Sequence, residues 1–455
     1  MVEAISGKCI VKIAVVGAGI SGLGAAWLLS RSHDVSLFEQ NAHIGGHADT
    51  AEVVEGDGRI LPVDTGFIVY NTASYPNLVA LFDYLDVPTA ETDMSFAVSL
   101  DGGRYEYSGN GAGGLFAQRR NLLSPAHWGM VGDILRFFRE VSSLDPTTLD
   151  VNISIGAWLD RNGYGDYFVR RHILPMGAAI WSTPANDMLG FPMAAFARFF
   201  ANHGLLVADV KKRPPWRTVR GGSRAYVRRV LGDFSGDHFA NRCVAGIGRE
   251  PAGVRLTFRD GGVERFDECV IATHADEALR LLGDADDMER RLLGAFSYSR
   301  NEAVLHTDTG LMPLRKRAWA SWNYTGDGGG EALSVSYWMN RLQPLETARD
   351  YFVTLNPWRE IAATFVIKQS SYRHPIFDVT AMQAQRDLWS LQGRRATWFA
   401  GSYFGYGFHE DGLQAGLAVA EDLGGLCRPW TVAGSRARIL SPAAHSRNAL
   451  QVAAE

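Results

Sequence analysis

Residues Ile13–Glu39 read IAVVGAGISGLGAAWLLSRSHDVSLFE, and they decide the fold of the first part of the chain. The short apolar run at 13–16 predicts a buried strand, which stops at three spaced glycines before an Ala/Leu-rich helix. Gly17 allows a tight turn, Gly19 lets a pyrophosphate approach the backbone, and Gly22 lets the helix pack closely on the strand. The helix N-terminus then offers free N–H groups to the phosphates. The pattern predicts a dinucleotide-binding unit.

A second strand, residues 34–38, ends at Glu39. An acid about 20 residues beyond the glycines can hold a ribose 2′-OH, which is the remaining part of the dinucleotide-binding pattern. Strand, glycines, helix, strand and acid in this order are far more specific than three glycines alone. By themselves, these residues allow NAD, NADP or FAD.

The stretch Gly109–Gly114 repeats the glycine spacing, but the preceding residues Arg104–Tyr107 do not read as a buried strand. No acid ends a strand about 20 residues later, as a dinucleotide site requires. We therefore interpret Gly109–Gly114 as a flexible loop. The sequence then offers one dinucleotide site and no obvious place for a nicotinamide cofactor beside a flavin.

The composition is that of a folded protein of two or three structural units, with 455 residues, 46% of them hydrophobic and 21% charged. The net charge of −4 leaves no electrostatic footprint for nucleic acid, so we expect no nucleic-acid partner. The four cysteines show neither CxxC nor metal-ligand spacing. They indicate reduced thiols in a cytoplasmic protein without a metal site.

No signal-peptide pattern precedes the first strand, and no apolar run of about 18 residues predicts a transmembrane helix. The segment Leu115–Val141 mixes apolar and arginine side chains, as an interfacial helix does. The alternative, which we prefer at this stage, is an ordinary amphipathic helix packed on its own domain. Peripheral contact with the inner face of the membrane stays open.

The middle of the chain is less specific. Residues 173–206 carry few charges and many aromatic side chains, which predicts a plain hydrophobic core or, alternatively, the lining of an apolar pocket. Residues 254–266 predict a hairpin that leads to a buried strand at Cys269–Thr273. A last strand, 396–400, runs into a glycine-rich turn, and a helix of small residues begins after Gly412.

Four features in this order resemble the flavin-containing amine oxidase superfamily, which includes phytoene desaturases and protoporphyrinogen oxidase. They are the glycine motif with Glu39, the pair Gly45-Gly46, the strand ending at Thr273, and the Gly401–Gly412 segment. The resemblance covers roughly residues 10–428. It implies bound FAD, and the FAD would be non-covalent because no cysteine between Cys269 and Cys427 could attach it.

Four stretches are similar to a bacterial subgroup identified only as NAD/FAD-binding or amine oxidase-like: VDTGFIVYN (63–71), PMGAAIWS (175–182), FPMAAFARFFANHGLL (191–206) and GYGFHEDGL (405–413). That subgroup includes the FAD-dependent desaturase of furan fatty acid biosynthesis, which introduces a double bond into a methyl-branched acyl chain. A flavin-dependent polyenoic fatty acid isomerase is a more distant relative.

The resemblance implies an α/β fold with a Rossmann-type, glutathione reductase-like FAD-binding domain and an α+β substrate domain built from insertions. The FAD-binding domain would comprise residues 1–95, 215–295 and 391–429, the substrate domain 96–214 and 296–390, and 430–455 would form a peripheral tail. His47 stands where the superfamily usually has arginine, and it could contact the cofactor or simply face solvent. The implied cofactor contacts are Gly17, Gly19, Ile20, Ser21, Gly22, Glu39, Gln40, Gly45, Gly46, His47, Thr65, Gly66, Val244, Thr273, Gly401, Ser402, Gly412 and Leu413.

Four residues are candidate proton acceptors for catalysis. His409 and Glu410 lie in the segment that the resemblance places beside the flavin, and their alternative role is to shape that loop by hydrogen bonding. His203 follows an aromatic stripe, where a satisfied core histidine is the alternative, and Tyr70 is the fourth candidate. Lys368 is a candidate for the lysine that approaches the flavin in amine oxidases, or else a surface strand residue.

We expect an FAD-dependent enzyme that oxidises or desaturates a lipid acyl chain by hydride transfer to the flavin, with an apolar small molecule or lipid as substrate. The alternatives are an amine oxidase, a carotenoid desaturase or isomerase, and a flavin-bearing binding protein without catalysis. A homodimer is compatible with the sequence.

Overall fold

The computed structural model of the protein describes residues 10–144, 149–150, 152–181, 187–207, 213–326 and 333–440. Five parallel strands form one sheet, and they are β1 (Lys12–Val16), β2 (Asp34–Phe38), β10 (Asp237–Phe239), β14 (Glu268–Ile271) and β20 (Thr397–Phe399). Their order, β10-β2-β1-β14-β20, places the first strand of the chain in the middle. This is the strand order of a Rossmann unit, and the predicted α/β fold is confirmed.

Two helices pack against each other beside this sheet, α1 (Ile20–Leu29) and α14 (His409–Gly424). All ten residues of α1 are buried, as expected for a helix that is apolar on every side. A Cβ atom added to Gly24 would lie 2.8 Å from Leu413 Cδ1, and one added to Gly416 would overlap the Ser21 carbonyl oxygen. The beginning and the end of the described chain are therefore in contact at backbone level.

Three small antiparallel sheets and four helices surround the parallel sheet. The predicted hairpin at 254–266 is confirmed, since β12 and β13 pair in register there. The strands are β3 (Thr50–Val54) with β4 (Ile60–Asp64); β5 (Tyr70–Asn71) and β6 (Thr89–Thr92) with β9 (Trp216–Val219); and β11 (Val244–Glu250), β12 (Gly253–Phe258) and β13 (Val263–Phe266). The helices are α2 (Pro76–Tyr84), α9 (Arg224–Asp233), α10 (Ala275–Leu281) and α11 (Asp287–Leu293).

A second large sheet has seven strands in the order β19-β15-β18-β17-β16-β7-β8. Only the β7–β16 pair in it is parallel, and β15 and β19 form its longest pairing. The strands are β7 (Phe96–Leu100), β8 (Tyr105–Ser108), β15 (Ser297–His306), β16 (Trp322–Gly326), β17 (Leu333–Trp338), β18 (Phe352–Leu355) and β19 (Val366–Ile376). Two short helices, α12 (Met339–Leu342) and α13 (Val379–Gln385), follow β17 and β19.

A layer of helices accompanies the seven-stranded sheet, and its interior is aromatic. The Phe137 ring lies 5.7 Å from Phe168, 6.2 Å from Phe196 and 6.1 Å from Phe200, measured between ring centroids. A π-helical turn, Val169–Ile173, connects α6 to α7. The helices are α3 (Gly111–Leu115), α4 (Pro125–Ser142), α5 (Ile155–Arg161), α6 (Asp166–Phe168), α7 (Leu174–Trp181) and α8 (Met193–Asn202).

The interpretation of the residues around the second glycine motif was wrong in part. Tyr105–Ser108 is a buried strand, β8, and the motif continues into helix α3 rather than remaining a loop. The sequence misled because Glu106 looks like a surface residue, whereas its fully buried carboxylate accepts hydrogen bonds from Ser99 Oγ and Leu314 N and pairs with Arg315. β8 is antiparallel to its neighbour β7, so the strand–turn–helix here is not part of a parallel βαβ unit.

The strands of the two large sheets come from different segments of the chain. All five parallel strands fall within the segments expected to bind the cofactor, and all seven strands of the other sheet fall within the two expected insertions. Of the expected tail, residues 430–440 contact the core: Trp430 stacks on Trp27, and Arg438 pairs with Asp411 at 2.9 Å. Residues 441–455 lie outside the described part. No described helix is long and apolar enough to cross a membrane.

Candidate functional site

The turn between β1 and α1 has the geometry that its glycines predict. Gly17 has φ +100°, and a Cβ there would approach the Ala272 carbonyl oxygen at 2.7 Å, while a Cβ on Gly22 would overlap the Gly17 carbonyl oxygen. In contrast, a Cβ on Gly19 would meet nothing within 4 Å. The first turn of α1, which includes Ile20 and Ser21, has no side-chain cap. The turn is therefore closed on the protein side and open where a phosphate would bind.

Glu39 follows β2 directly and is buried. Its Oε2 accepts a hydrogen bond from Ala18 N at 3.0 Å, so the carboxylate lies beside the glycine turn. The Arg242 amide donates to the Glu39 carbonyl oxygen at 2.8 Å, and this bond brings Val244, at the start of β11, to the same end of the sheet. Gln40 is the exposed neighbour of Glu39. These positions fit the ribose and adenine end of a dinucleotide.

The pair Gly45-Gly46 packs directly on the glycine turn. Gly45 N donates to the Ala18 carbonyl oxygen at 2.9 Å, and a Cβ on Gly46, which has φ +58°, would lie 3.0 Å from Gly19 Cα. Gly46 itself is exposed. Both glycines therefore extend the open backbone surface at Gly19.

The C-terminal segment closes the other side of the turn. A Cβ on Gly412 would lie 2.8 Å from Ser21 Oγ and 2.9 Å from Ile20 Cγ2, and Leu413 packs on α1 at Gly24. Gly401 and Ser402 follow β20, next to the end of β14 where Thr273 lies. Residues from the first, middle and last thirds of the chain thus meet at the N-terminus of α1.

His47, Thr65 and Gly66 lie beyond the glycine pair. Phe67 N donates to the His47 carbonyl oxygen at 2.7 Å, and a Cβ on Gly66 would overlap that same oxygen. Asp64 anchors this region because it accepts hydrogen bonds from Ser223 N at 2.8 Å and Thr50 Oγ1 at 2.6 Å. Burial raises the pKa of Asp64 to about 7, in opposition to these hydrogen bonds.

Three histidines converge on this region from different elements. The His47 ring centroid lies 6.4 Å from that of His274 and 5.5 Å from that of His374. Burial lowers the pKa of His47 and of His274 to about 4 and that of His374 to about 3, so all three are neutral near pH 7. His47 Nε2 and His274 Nδ1 are buried without a hydrogen-bond partner. Such orphaned polar atoms fit a polar group that belongs between them.

His409 begins α14 and stacks on Phe67 with a ring-centroid distance of 3.8 Å. Its Nε2 shares a hydrogen bond of 2.6 Å with the Tyr226 hydroxyl. Burial, and then the charge on His47, lowers the pKa of His409 to about 3, while burial raises that of Tyr226 well above 10. The His409 side chain is neutral but still partly exposed, so it borders an open space.

The other catalytic candidates are placed differently. Glu410 is fully buried and accepts from the amides of Asn77 at 3.0 Å and Leu78 at 2.9 Å, the first turn of α2. His203 is buried against Phe199, donates from Nδ1 to the Phe199 carbonyl oxygen, and has its pKa lowered to about 3 by burial. Because a carbonyl oxygen can only accept, the His203 Nδ1 carries the proton.

Tyr70 is buried beneath α2, in edge contact with Phe82, and burial raises its pKa. Lys368, on β19, binds both carboxylate oxygens of Asp49 at 2.7 Å. Asp49 in turn accepts from the Tyr372 hydroxyl at 2.9 Å. Lys368 is therefore near the predicted site, with its charge already compensated.

Sequence reasoning missed His274, His374, Tyr226, Phe67 and Arg198. His274 directly follows Thr273 at the end of β14, and its position could have been found from the strand alone. Arg198 Nη1 donates to the Tyr406 hydroxyl at 2.6 Å, beside the loop that leads to His409. In the sequence, Arg198 and Asp187 are the only acidic or arginine/lysine residues of the stretch 173–206. This rarity is the signal that could have identified Arg198.

Residues 15–85 match the family model of an NAD(P)-binding Rossmann-like domain. The fold is similar to that of a CLA-producing fatty acid isomerase from P. acnes, with 15% identity, TM-score 0.65, and coverage of 91% of this chain and 97% of that one. Cyclohexylamine oxidase from Brevibacterium oxydans has 15% identity, TM-score 0.64 and coverage of 91% and 100%. Putrescine oxidase bound to putrescine has 15% identity, TM-score 0.64 and coverage of 92% and 100%. The sequence has no match among curated proteins.

The predicted dinucleotide-binding unit is thereby confirmed as a Rossmann-like domain, and the fold of 91% of the chain is similar to that of an isomerase and of an oxidase.

Proposed function

We propose that the protein is an FAD-dependent oxidoreductase that oxidises or desaturates a lipid acyl chain, and that it holds FAD without a covalent bond. The open glycine turn, the uncapped α1 N-terminus and the buried Glu39 support a dinucleotide here. The pair Gly45-Gly46 and the segment Gly401–Gly412 support FAD as that dinucleotide, and the single glycine motif leaves no obvious place for a nicotinamide cofactor beside it. The cofactor contacts expected from the sequence, and the domain division that goes with them, are part of this proposal.

FAD, when bound, would supply the acceptor for a hydride removed from carbon. The chain's own residues would bind and orient it: Gly17 permits the tight turn, Gly19 and Gly46 leave room for phosphates, and Glu39 would offer its carboxylate to the ribose. His47 and His274 present unpaired nitrogens to a polar edge of the cofactor.

The proposed substrate class rests on the surroundings of Arg198. This arginine comes from the apolar helix α8, donates to Tyr406, and has no carboxylate partner among the described residues. The carboxylates bordering the site are already satisfied: Asp49 by Lys368, Asp411 by Arg438, and Glu410 by the first turn of α2. An uncompensated guanidinium fits a carboxylate or phosphate, whereas an ammonium substrate would find these three carboxylates of the described residues already paired.

His409 is the proposed proton acceptor. Tyr226 holds its Nε2 at 2.6 Å, so in the tautomer with hydrogen on Nε2 the ring nitrogen Nδ1 is free to accept a proton. The low pKa keeps the His409 ring neutral near pH 7, and proton transfer to it requires that a group in the loaded site stabilise the imidazolium formed. For Glu410, the hydrogen bonds to α2 favour the loop-shaping role that the sequence left as its alternative, and the stacking of His203 on Phe199 favours a role in packing.

The test is anaerobic reduction of the purified FAD-loaded protein, followed by the visible absorbance of the flavin. Fatty acids and acyl phospholipids should bleach it, and Arg198→Met should raise the KM for them at least about 10-fold with a smaller change in kcat. Arg170→Met is the matched control, because Arg170 is an exposed arginine of the same helical layer. Bleaching by polyamines alone would instead establish an amine oxidase, and bound FAD that no substrate bleaches would indicate a binding protein.

A further inference from the structure

We propose that one face of the substrate domain docks on an anionic phospholipid bilayer. This basic apolar face consists of four exposed apolar and four basic residues: Leu122, Leu123, Trp128, Leu314, Arg119, Arg120, Lys316 and Arg317. The inference concerns where the protein binds and does not depend on the reaction proposed above. The ligand of this face is a membrane surface, because the face combines exposed apolar side chains with basic side chains that have no acidic partner among the described residues.

Two distant segments meet at Gly103 to build this face. Gln118 Nε2 donates to the Gly103 carbonyl oxygen at 2.9 Å, and Arg315 Nη1 donates to the same oxygen at 3.0 Å. A Cβ on Gly103 would lie 2.5 Å from Leu314 Cδ1. Residues 118–123 and 314–317, nearly two hundred residues apart in sequence, are thereby fixed side by side.

The apolar residues of the face are unusually open to water. Leu123 is 88% exposed, Leu314 74%, Trp128 50% and Leu122 49%. The Trp128 indole stacks near Phe116 at 5.0 Å and donates its N–H to the Leu122 carbonyl oxygen at 3.0 Å. An indole with a satisfied N–H beside exposed leucines is the arrangement that inserts into the interface of a bilayer.

The charge of the face is opposite to that of the whole chain. The chain carries a net charge of −4, yet residues 107–132 and 309–326 contain no Asp or Glu. Arg119, Arg120 and Arg317 have no acidic partner within the part of the chain that the structure describes. Each basic residue near an anionic lipid surface strengthens binding by several-fold. The uncompensated arginines therefore select anionic over neutral lipid.

A cavity of about 480 Å³ opens beside the basic residues. Lys316, Arg317 and Arg341 line it together with Trp319 and Trp338. Arg341 is neutralised by Asp93, and Lys316 lies 3.9 Å from Asp350, so Arg317 is the cation left for an added anion. A lipid phosphate can enter this cavity while Leu123 and Leu314 contact the acyl region.

The experiment is co-sedimentation of the full-length FAD-loaded protein with two kinds of vesicle, phosphatidylcholine alone and phosphatidylcholine mixed with phosphatidylglycerol. We expect binding to the mixed vesicles that weakens as salt is raised. The double variant Arg119→Glu/Arg120→Glu should weaken it about 10-fold or more. Its matched control is Arg228→Glu/Arg229→Glu, an adjacent exposed pair on α9.

The apolar contribution is tested by Leu123→Gln against Val54→Gln, whose parent side chain is also largely exposed, at 69%. Leu123→Gln should weaken binding several-fold, and Val54→Gln should leave it unchanged. Absence of binding to the mixed vesicles would overturn the proposal, as would equal binding to neutral vesicles or equal losses in the control variants. Flavin content and thermal midpoint of each variant establish that it is folded, so a loss of binding reports on the face alone.

Discussion

The parallel sheet with its glycine turn and the aromatic helical layer around Phe137 are packed by opposite means. At the turn, backbone touches backbone: there is no room for a Cβ on Gly22 or Gly416. In the helical layer, bulky rings fill the space between helices, with Phe137 in contact with Phe168, Phe196 and Phe200. The difference teaches that, in the first region, stability is lost by adding atoms at the closely packed glycines Gly22 and Gly416, whereas in the second region it is lost by removing atoms.

The largest effect should come from adding atoms at the glycine turn. In Gly22→Val the new Cβ would overlap the Gly17 carbonyl oxygen, so α1 must move away from β1. We expect a loss of more than about 4 kcal/mol in the free energy of unfolding, or failure to fold. Urea denaturation of the FAD-free protein measures it.

Gly19→Ala is the matched control, since a Cβ there meets nothing and Gly19 has an ordinary φ of −74°. Its stability should change by less than about 1 kcal/mol, while its affinity for FAD should fall because the methyl group occupies the phosphate side. Equal destabilisation by both substitutions would show that the turn is not selectively closed.

The next largest effect should come from removing atoms in the helical layer. Phe137→Ala deletes a fully buried ring and should cost about 3–5 kcal/mol in the free energy of unfolding. Because the cavity lies away from the glycine turn, the folded fraction should keep its FAD content. Denaturation followed by tryptophan fluorescence, together with the flavin-to-protein ratio, measures both quantities. Loss of FAD from a folded Phe137→Ala variant would mean that the two regions are not independent.

A smaller effect, the pH dependence of the unfolding free energy, is expected from a buried histidine of the helical layer. Burial lowers the pKa of His172 to about 3, against 6.5 for an exposed histidine, so the unfolded chain binds a proton that the folded chain does not. Its contribution to stability is complete above about pH 6.5 and declines as the pH falls, reaching a loss of about 2 kcal/mol at pH 5.

His172→Gln, whose side-chain amide can still donate to the Tyr107 hydroxyl oxygen, should make the fall of the unfolding free energy between about pH 7 and pH 5 shallower by up to one proton. His238→Gln, at an exposed position, should leave the slope as it is. Denaturant titrations at several pH values give the slopes. An unchanged slope in His172→Gln would show that this histidine is not buried in its neutral form.

The sequence was most informative where function depends on neighbours along the chain. Gly17, Gly19, Gly22 and Glu39 lie within one βαβ unit, so their spacing alone predicted the turn, the open side and the acid at the end of β2. The pair Gly45-Gly46 follows at once, and its packing on the same turn could also be anticipated.

The histidine cluster could not be anticipated in the same way. His47, His274 and His374 belong to three segments that are far apart in the sequence. Their rings meet where the residue after β14 approaches β19 of the other large sheet. Tyr226 likewise reaches His409 from a helix about 180 residues earlier. β8 was misjudged because a buried Glu106 with its own donors is indistinguishable, in sequence, from a surface glutamate.

The contact between α1 and α14 can form only after both helices have been synthesised. The glycine turn leaves the ribosome long before its neighbours on the other side, Gly412 and Leu413, have been synthesised. A nascent chain therefore carries an apolar α1 that α14 cannot cover until the residues of α14 have been made. A chain truncated before α14 would contain the complete glycine motif but would lack Gly412 and Leu413, which close the other side of the turn.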